Sequence, residues 1–100
     1  MPYEILVHER AVEEIEALRS FEQRQVMDAI EEQLTHQPAV STRRRKCLQG
    51  LTPAFEHVLP VWEIRVGTLR VFYDVDEAAV QVNVRAVRRK ERGQTTEEVT

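Results

Sequence analysis

An α+β domain, with an N-terminal helical hairpin packed on a small antiparallel β-sheet in the order β-α-α-β-β-β, is the fold class this sequence predicts. Three observations predict it. Apolar residues recur at helical spacing in the first third of the chain and then alternate with polar ones. The stretch Val61–Tyr73, VWEIRVGTLRVFY, consists of two β-prone runs on either side of one glycine. A further alternating run follows at Ala79–Val87. At 100 residues the chain is long enough for a single domain with one core, residues 1–100, and too short for two.

Each element has its own warrant. Tyr3-Glu4-Ile5-Leu6-Val7 is a short β-prone run and predicts a first strand. From His8 the period changes, and Ala11, Val12, Ile15 and Leu18 form an apolar stripe with acids between them. Ser20 with Gln23 three residues on has the form of a capping box. The second helix is then expected from about Phe21 to Thr35, with Val26, Met27, Ile30 and Leu34 as its stripe. Pro38 ends the helical region, and Gln37–Thr42 is expected as a linker leading into the basic run Arg43-Arg44-Arg45-Lys46. Phe55–Pro60 fits either an edge strand or a loop, because Pro53 and Pro60 restrict it.

In the first run of the hairpin, Trp62, Ile64 and Val66 share one face and Glu63 and Arg65 the other. In the second run, Leu69, Val71 and Tyr73 share a face, with Arg70 and Phe72 opposite. Val80, Val82 and Val84 alternate with Gln81, Asn83 and Arg85 in the last strand. Thr95-Thr96-Glu97-Glu98 fits either a short helix or a frayed tail. With the helices on one side of the sheet, the other face is expected to be open and basic, carrying Glu63, Arg65, Arg70, Asn83 and Arg85.

Composition narrows the function. The net charge of −3 divides along the chain. Residues 1–40 carry nine acids and three bases, whereas residues 41–100 carry eleven bases and eight acids. Most of those bases lie in two clusters, Arg43–Lys46 and Arg85–Arg92, a distribution suited to a polyanion despite the acidic total. No apolar run is long enough to cross a bilayer, and MPYEILVHER lacks the apolar core of a secretory signal, so a cytoplasmic location is expected. Cys47 is the only cysteine, which excludes an intrachain disulfide and a cysteine-rich metal site. His8, His36 and His57 show no metal-ligand spacing, and neither a metal nor another cofactor is expected.

The opening strand, the helical hairpin, the basic cluster before Leu48, then W-E-I-R-V-G-x-x-R-V-F-Y-D-V-D and the late A-V-R-R-K-E together resemble the RelE/ParE superfamily of toxins from bacterial type II toxin–antitoxin pairs. The stretch Trp62–Asp76 carries most of the likeness, and within the superfamily it is closer to the RelE-like branch. The resemblance implies one of two activities on a shared fold. RelE-like members cut messenger RNA in the ribosomal decoding site, whereas ParE-like members poison DNA gyrase. An interaction module that keeps antitoxin binding without toxicity is a further alternative. A cognate antitoxin, the ribosome and mRNA are the implied partners, with no membrane involved.

Residue by residue, the resemblance places Arg70 at the position that contacts the scissile phosphate. Arg65 falls at a basic position of the preceding strand, and Lys90 at a late basic residue linked to cleavage. Glu63 stands at a position that is often basic in strongly active members of that superfamily, and no aromatic residue follows Tyr73. Metal-free RNA cleavage uses the 2′-hydroxyl as nucleophile, and it needs a base, a stabiliser for charge at phosphorus, and an acid. Arginine suits the stabiliser because it stays charged and offers paired donors to phosphate oxygens. The candidate catalytic residues are therefore Arg65, Arg70, Lys90 and Glu91, with Glu63 an alternative base and His57 an alternative acid–base group. Arg43, Arg44, Arg45, Lys46, Arg85, Arg88, Arg89 and Arg92 are the candidate RNA-binding residues. The rival structural role for Arg70 is an ion pair with Glu63 or Asp74 that holds the sheet together.

Overall fold

The computed structural model describes residues 1–100. Strand β1 (Glu4–Val7) leads directly into helices α1 (Glu9–Glu16) and α2 (Ser20–Leu34). Strands β2 (Arg45–Leu48), β3 (Val61–Val66), β4 (Leu69–Asp76) and β5 (Gln81–Arg89) follow, and a single turn of helix, α3 (Thr96–Val99), closes the chain. The five strands form one sheet in the order β1-β5-β4-β3-β2. The α+β architecture is the one expected, with two additions. The sheet is mixed, because β1 pairs parallel with β5, from Glu4 opposite Gln81 to Val7 opposite Val84. The basic run also contributes a strand, with Arg45 opposite Ile64 and Leu48 opposite Val61.

The helices lie on one face. Ala11 and Ile15 of α1 and Val26, Ala29, Ile30 and Leu34 of α2 pack onto Trp62, Ile64, Val66, Leu69, Val71, Tyr73, Val82, Val84 and Val87. The alternation in Val61–Tyr73 thus sorts as expected. Of the expected helical stripes, Ala11, Ile15, Val26, Ile30 and Leu34 are buried and Leu18 partly so, whereas Val12 and Met27 are 39% and 43% exposed and Ala29 joins the contact instead. Alanine lets a helix approach the sheet closely, and the larger residues flank the contact. Ser20 is also not the N-cap. Arg19 holds that place in an extended conformation without a side-chain cap, and the Gln23 amide donates to the carbonyls of Leu18 (2.9 Å) and Glu16 (3.3 Å). Gln23 therefore ties the two helices together across their turn.

The opposite face is not open. Leu48, Val61, Phe72 and Ala86 are covered by Phe55 from the irregular segment between β2 and β3, and by Val99 of α3. The rings of Phe55 and Phe72 lie 5.7 Å apart. Residues 55–60 take the loop alternative, and Thr95–Glu98 takes the helical one, with a capping box between Thr95 and Glu98. Val80 belongs to the turn before β5 rather than to the strand, at a φ of +52°. The covered middle leaves functional side chains on this face only at the two ends of the sheet.

Candidate functional site

At one end of the second face stands the turn between β3 and β4. Val66 and Leu69 are paired, so Gly67 and Thr68 form a two-residue loop. Gly67 has a φ of +61° and Thr68 is not in the left-handed region, the pattern of a turn with glycine at its first position. This turn brings Arg65 directly opposite Arg70, and β5 adds Arg88 opposite Arg70. Three arginines therefore form a row across three adjacent strands. Like charges in directly opposed positions destabilise a sheet, so the row is not explained by strand pairing.

The three arginines differ in what they are free to do. Arg65 is exposed, with no hydrogen bond or ion pair from its side chain. Arg70 is half-buried and paired with neither Glu63 nor Asp74; its Nη1 donates to the carbonyls of Gly67 (2.8 Å) and Leu69 (2.9 Å). Its Nε is buried without a partner. Burial lowers the Arg70 pKa, Glu63 opposes that shift and Arg65 reinforces it. Arg88 is committed elsewhere. It pairs with Glu14, donates to the carbonyl of Val99 (3.1 Å) and lies 5.6 Å from the Phe55 ring centre.

One register step from the row, Glu63 is 3% exposed and opposes Lys46 of β2. Its Oε2 is buried without a hydrogen-bond partner. An unpaired buried carboxylate oxygen and an unpaired buried guanidinium nitrogen thus occupy the same end of the same face. Lys90 reaches this end as well, because its backbone N–H donates to the Thr68 carbonyl at 2.8 Å, and its Nζ lies 3.4 Å from Thr96 Oγ1. Glu91 is exposed beyond it, with its backbone N–H held by Gln94 Oε1. The alternation in WEIRV puts Glu63 on the Arg65 face, which was the signal in sequence that it belongs with these groups.

The candidate RNA-binding residues divide into two sets. Arg43, Arg44, Lys46 and Arg92 are exposed and unpaired. Arg45 is instead buried, donating to the carbonyls of Val40 (3.0 Å) and Gln33 (2.7 Å) and so pinning α2 to the segment that follows it. Arg85 is buried in an ion pair with Asp74, at the end of the sheet away from the hairpin turn. Arg89 Nη2 donates to both carboxylate oxygens of Glu22, each at 2.9 Å. Of the expected RNA-binding residues, Arg45 and Arg85 are buried, and Arg88 and Arg89 are held by acids while partly or largely exposed. Each is matched by an acceptor from another part of the chain, and desolvation without that acceptor would be costly.

A polar cavity of about 630 Å³, lined by His8, Glu9, Arg10, Glu13, Glu14, Glu56 and Arg85, sits beside the buried Asp74–Arg85 pair. His57 Nδ1 lies 2.8 Å from the Phe55 carbonyl, within its own loop. No three His, Cys, Asp or Glu side chains are placed to share a metal ion.

Comparison with known proteins places this arrangement. Residues 5–93 match the family described as ParE toxin of type II toxin-antitoxin system, parDE. Among solved structures, the chain resembles the toxin–antitoxin complex RelBE2 of Mycobacterium tuberculosis, with a TM-score of 0.70 and 21% identity over 90% of this chain and 100% of that one. The isolated RelE toxin of E. coli gives a TM-score of 0.65 and 26% identity over 96% of this chain and 93% of that one. The RelE–RelB complex of Pyrococcus horikoshii gives 0.65 and 21%, over 95% and 100%. No curated protein matches the sequence significantly. With a family match across most of its length and the RelE fold throughout, the chain belongs to the ParE toxin family, within the RelE/ParE superfamily of type II toxin–antitoxin toxins.

Proposed function

We propose that this type II toxin is a metal-independent endoribonuclease that cuts ribosome-bound messenger RNA and so inhibits translation. The observation that carries the proposal is the meeting of Arg65, Arg70 and Glu63 at one end of the sheet, with complementary unpaired atoms on Arg70 and Glu63. Arg65 and Arg70 would hold the scissile phosphate and stabilise charge growing on its oxygens. The base would be Glu91, exposed beyond Lys90, or Glu63, whose free oxygen is buried beside the arginines and would need the bound strand to open a path to it. In the reaction, the 2′-oxygen loses its proton to one of these carboxylates and bonds to phosphorus. The phosphorus–5′-oxygen bond breaks, and the leaving oxygen takes a proton from Lys90. The products are a 2′,3′-cyclic phosphate and a free 5′-hydroxyl. Arg43, Arg44, Lys46 and Arg92 would add phosphate contacts along the strand.

A cognate antitoxin is the proposed partner, by likeness to RelE proteins solved with RelB. Action on ribosomes would place the toxin in the cytoplasm, and no helix is long and apolar enough to cross a membrane. A gyrase poison is the second reading, favoured by the ParE description of the matching family and by the lack of any aromatic residue after Tyr73. A reconstituted translation reaction separates them. Cuts in ribosome-bound message that disappear in Arg70→Ala, and in Glu91→Gln or Glu63→Gln, support the nuclease. Intact message together with gyrase-trapped DNA breaks would overturn it.

A further inference from the structure

Phe21 is the one aromatic side chain that nothing in the fold uses. Its side chain is 59% exposed, whereas Phe55, Trp62, Phe72 and Tyr73 are buried and Tyr3 is held through its hydroxyl by Glu77. It sits in the first turn of α2, off the buried face made by Val26, Ala29 and Ile30. Its neighbours one helical turn on are Arg24 and Gln25, both exposed. The first 40 residues contain only three bases, and two of them, Arg19 and Arg24, flank this ring. Neither has an acid within ion-pair distance.

The position of the ring is fixed relative to the arginine row. Glu22, the next residue, takes two hydrogen bonds from Arg89, and Arg89 Nη1 donates to Thr68 Oγ1 at 3.1 Å. Thr68 adjoins Gly67, whose carbonyl holds Arg70. A short chain of hydrogen bonds thus links the tip of the helical hairpin to the β3–β4 turn. Arg19, Phe21 and Arg24 lie on the helix-covered side of the sheet end whose other face carries Arg65 and Arg70, and acids outnumber bases over the rest of the hairpin.

We infer that Phe21 is a stacking platform for a nucleobase of the single-stranded RNA whose phosphate lies at Arg65 and Arg70, with Arg19 and Arg24 holding the flanking backbone. The inference rests on the nuclease proposal and adds a positioning residue to it. An unstacked base laid on an aromatic ring beside arginines is a common way to hold single-stranded RNA, and it needs no particular sequence. The charge around the ring and its continuity with the arginine row favour RNA over a protein partner.

The test measures affinity for an uncleavable 2′-O-methyl RNA of roughly eight nucleotides, and for the same strand without bases. Phe21→Ala should weaken binding to the normal strand roughly tenfold or more. Phe21→Trp should keep it, and the abasic strand should bind wild type and Phe21→Ala alike. Unfolding midpoints should change little, because the ring is mostly exposed and belongs to neither core. Wild-type affinity in Phe21→Ala, or equal losses on both strands, would overturn the stacking while leaving the nuclease proposal standing. Wild-type affinity for RNA combined with loss of a co-expressed antitoxin would assign the ring to a protein partner. A wild-type chain that neither binds RNA nor cuts message would remove both proposals.

Discussion

Arg85 donates from Nε to Oδ2 of Asp74 across 2.7 Å, with 8% and 2% of the two side chains exposed. Asp74 also accepts from the Val58 backbone N–H (2.9 Å) and from Asn83 Nδ2 (3.0 Å). One carboxylate therefore joins β4, β5 and the loop that covers the second core. Asp74→Ala should lower stability by about 3–5 kcal/mol, because it strands a buried guanidinium and a backbone donor. Replacing both Asp74 and Arg85 by alanine should cost less than the sum of the single changes. Urea unfolding of the four proteins checks this, and strict additivity would mean that the two side chains are not coupled.

Glu22 and Arg89 form another pair between distant parts of the chain, and acid should reveal it. Hydrogen bonds from Arg89 lower the Glu22 pKa, against the opposing effect of burial. A carboxylate with a folded pKa below its unfolded one stabilises the fold above the unfolded value of about 4.3, and loses that contribution as pH falls through the folded pKa. Glu22→Gln should therefore lower the melting temperature at neutral pH and flatten its decline in acid. Parallel wild-type and variant curves across the acid range would show that the pair contributes nothing.

These two pairs also show what the sequence could and could not reveal. The helices, the β3–β4 hairpin and β5 were legible because their patterns are local: a 3.6-residue or a 2-residue period, and one glycine at a turn. β2 was not legible, since Arg45-Lys46-Cys47-Leu48 reads as a charge run and becomes a strand only by pairing with Trp62–Ile64 and Val61. The parallel placement of β1 beside β5 joins residues that are far apart in the chain. The same distance hid the fate of the arginines. Arg85, Arg88 and Arg89 find their acids 11, 74 and 67 residues away. Counting bases located a positive region, but only the fold separates the paired from the free. Arg65 and Arg70 emerged from local alternation, while the second core on their face of the sheet depends on Phe55 and Val99 from elsewhere.

Tyr73 should make the protein sensitive to alkali. Its hydroxyl donates to the Pro38 carbonyl at 2.7 Å, and burial pushes its pKa well above the usual phenol range, with Arg45 opposing and Cys47 adding to the shift. A raised folded pKa means stability that is complete below the unfolded value of about 10 and is lost as pH rises beyond it. Tyr73→Phe should cost about 1–3 kcal/mol at neutral pH by leaving the Pro38 carbonyl unbonded. It should also weaken the alkaline loss, so that the two proteins converge in stability as pH rises past the phenol range. Denaturant midpoints at neutral and alkaline pH read this out, and a gap that stays constant would exclude Tyr73 as the titrating group.

The division of arginines into free and paired predicts a specific salt dependence. Binding of single-stranded RNA releases counterions, and the slope of log affinity against log salt scales with about 0.7 for each phosphate the protein neutralises. Arg43 and Arg44 are exposed and unpaired, so each change to alanine should make the slope shallower by up to about that amount without altering stability. Arg45 lies between the strand and α2 with its nitrogens on the Val40 and Gln33 carbonyls. Arg45→Ala should leave the slope unchanged and lower the unfolding midpoint, by removing a buried, charge-assisted hydrogen-bond set worth about 1.5–3 kcal/mol. Three adjacent arginines should thus give two different phenotypes. An equally shallower slope in all three variants would mean that Arg45 leaves its internal partners when RNA binds, and that adjacent charge outweighs the buried hydrogen bonds.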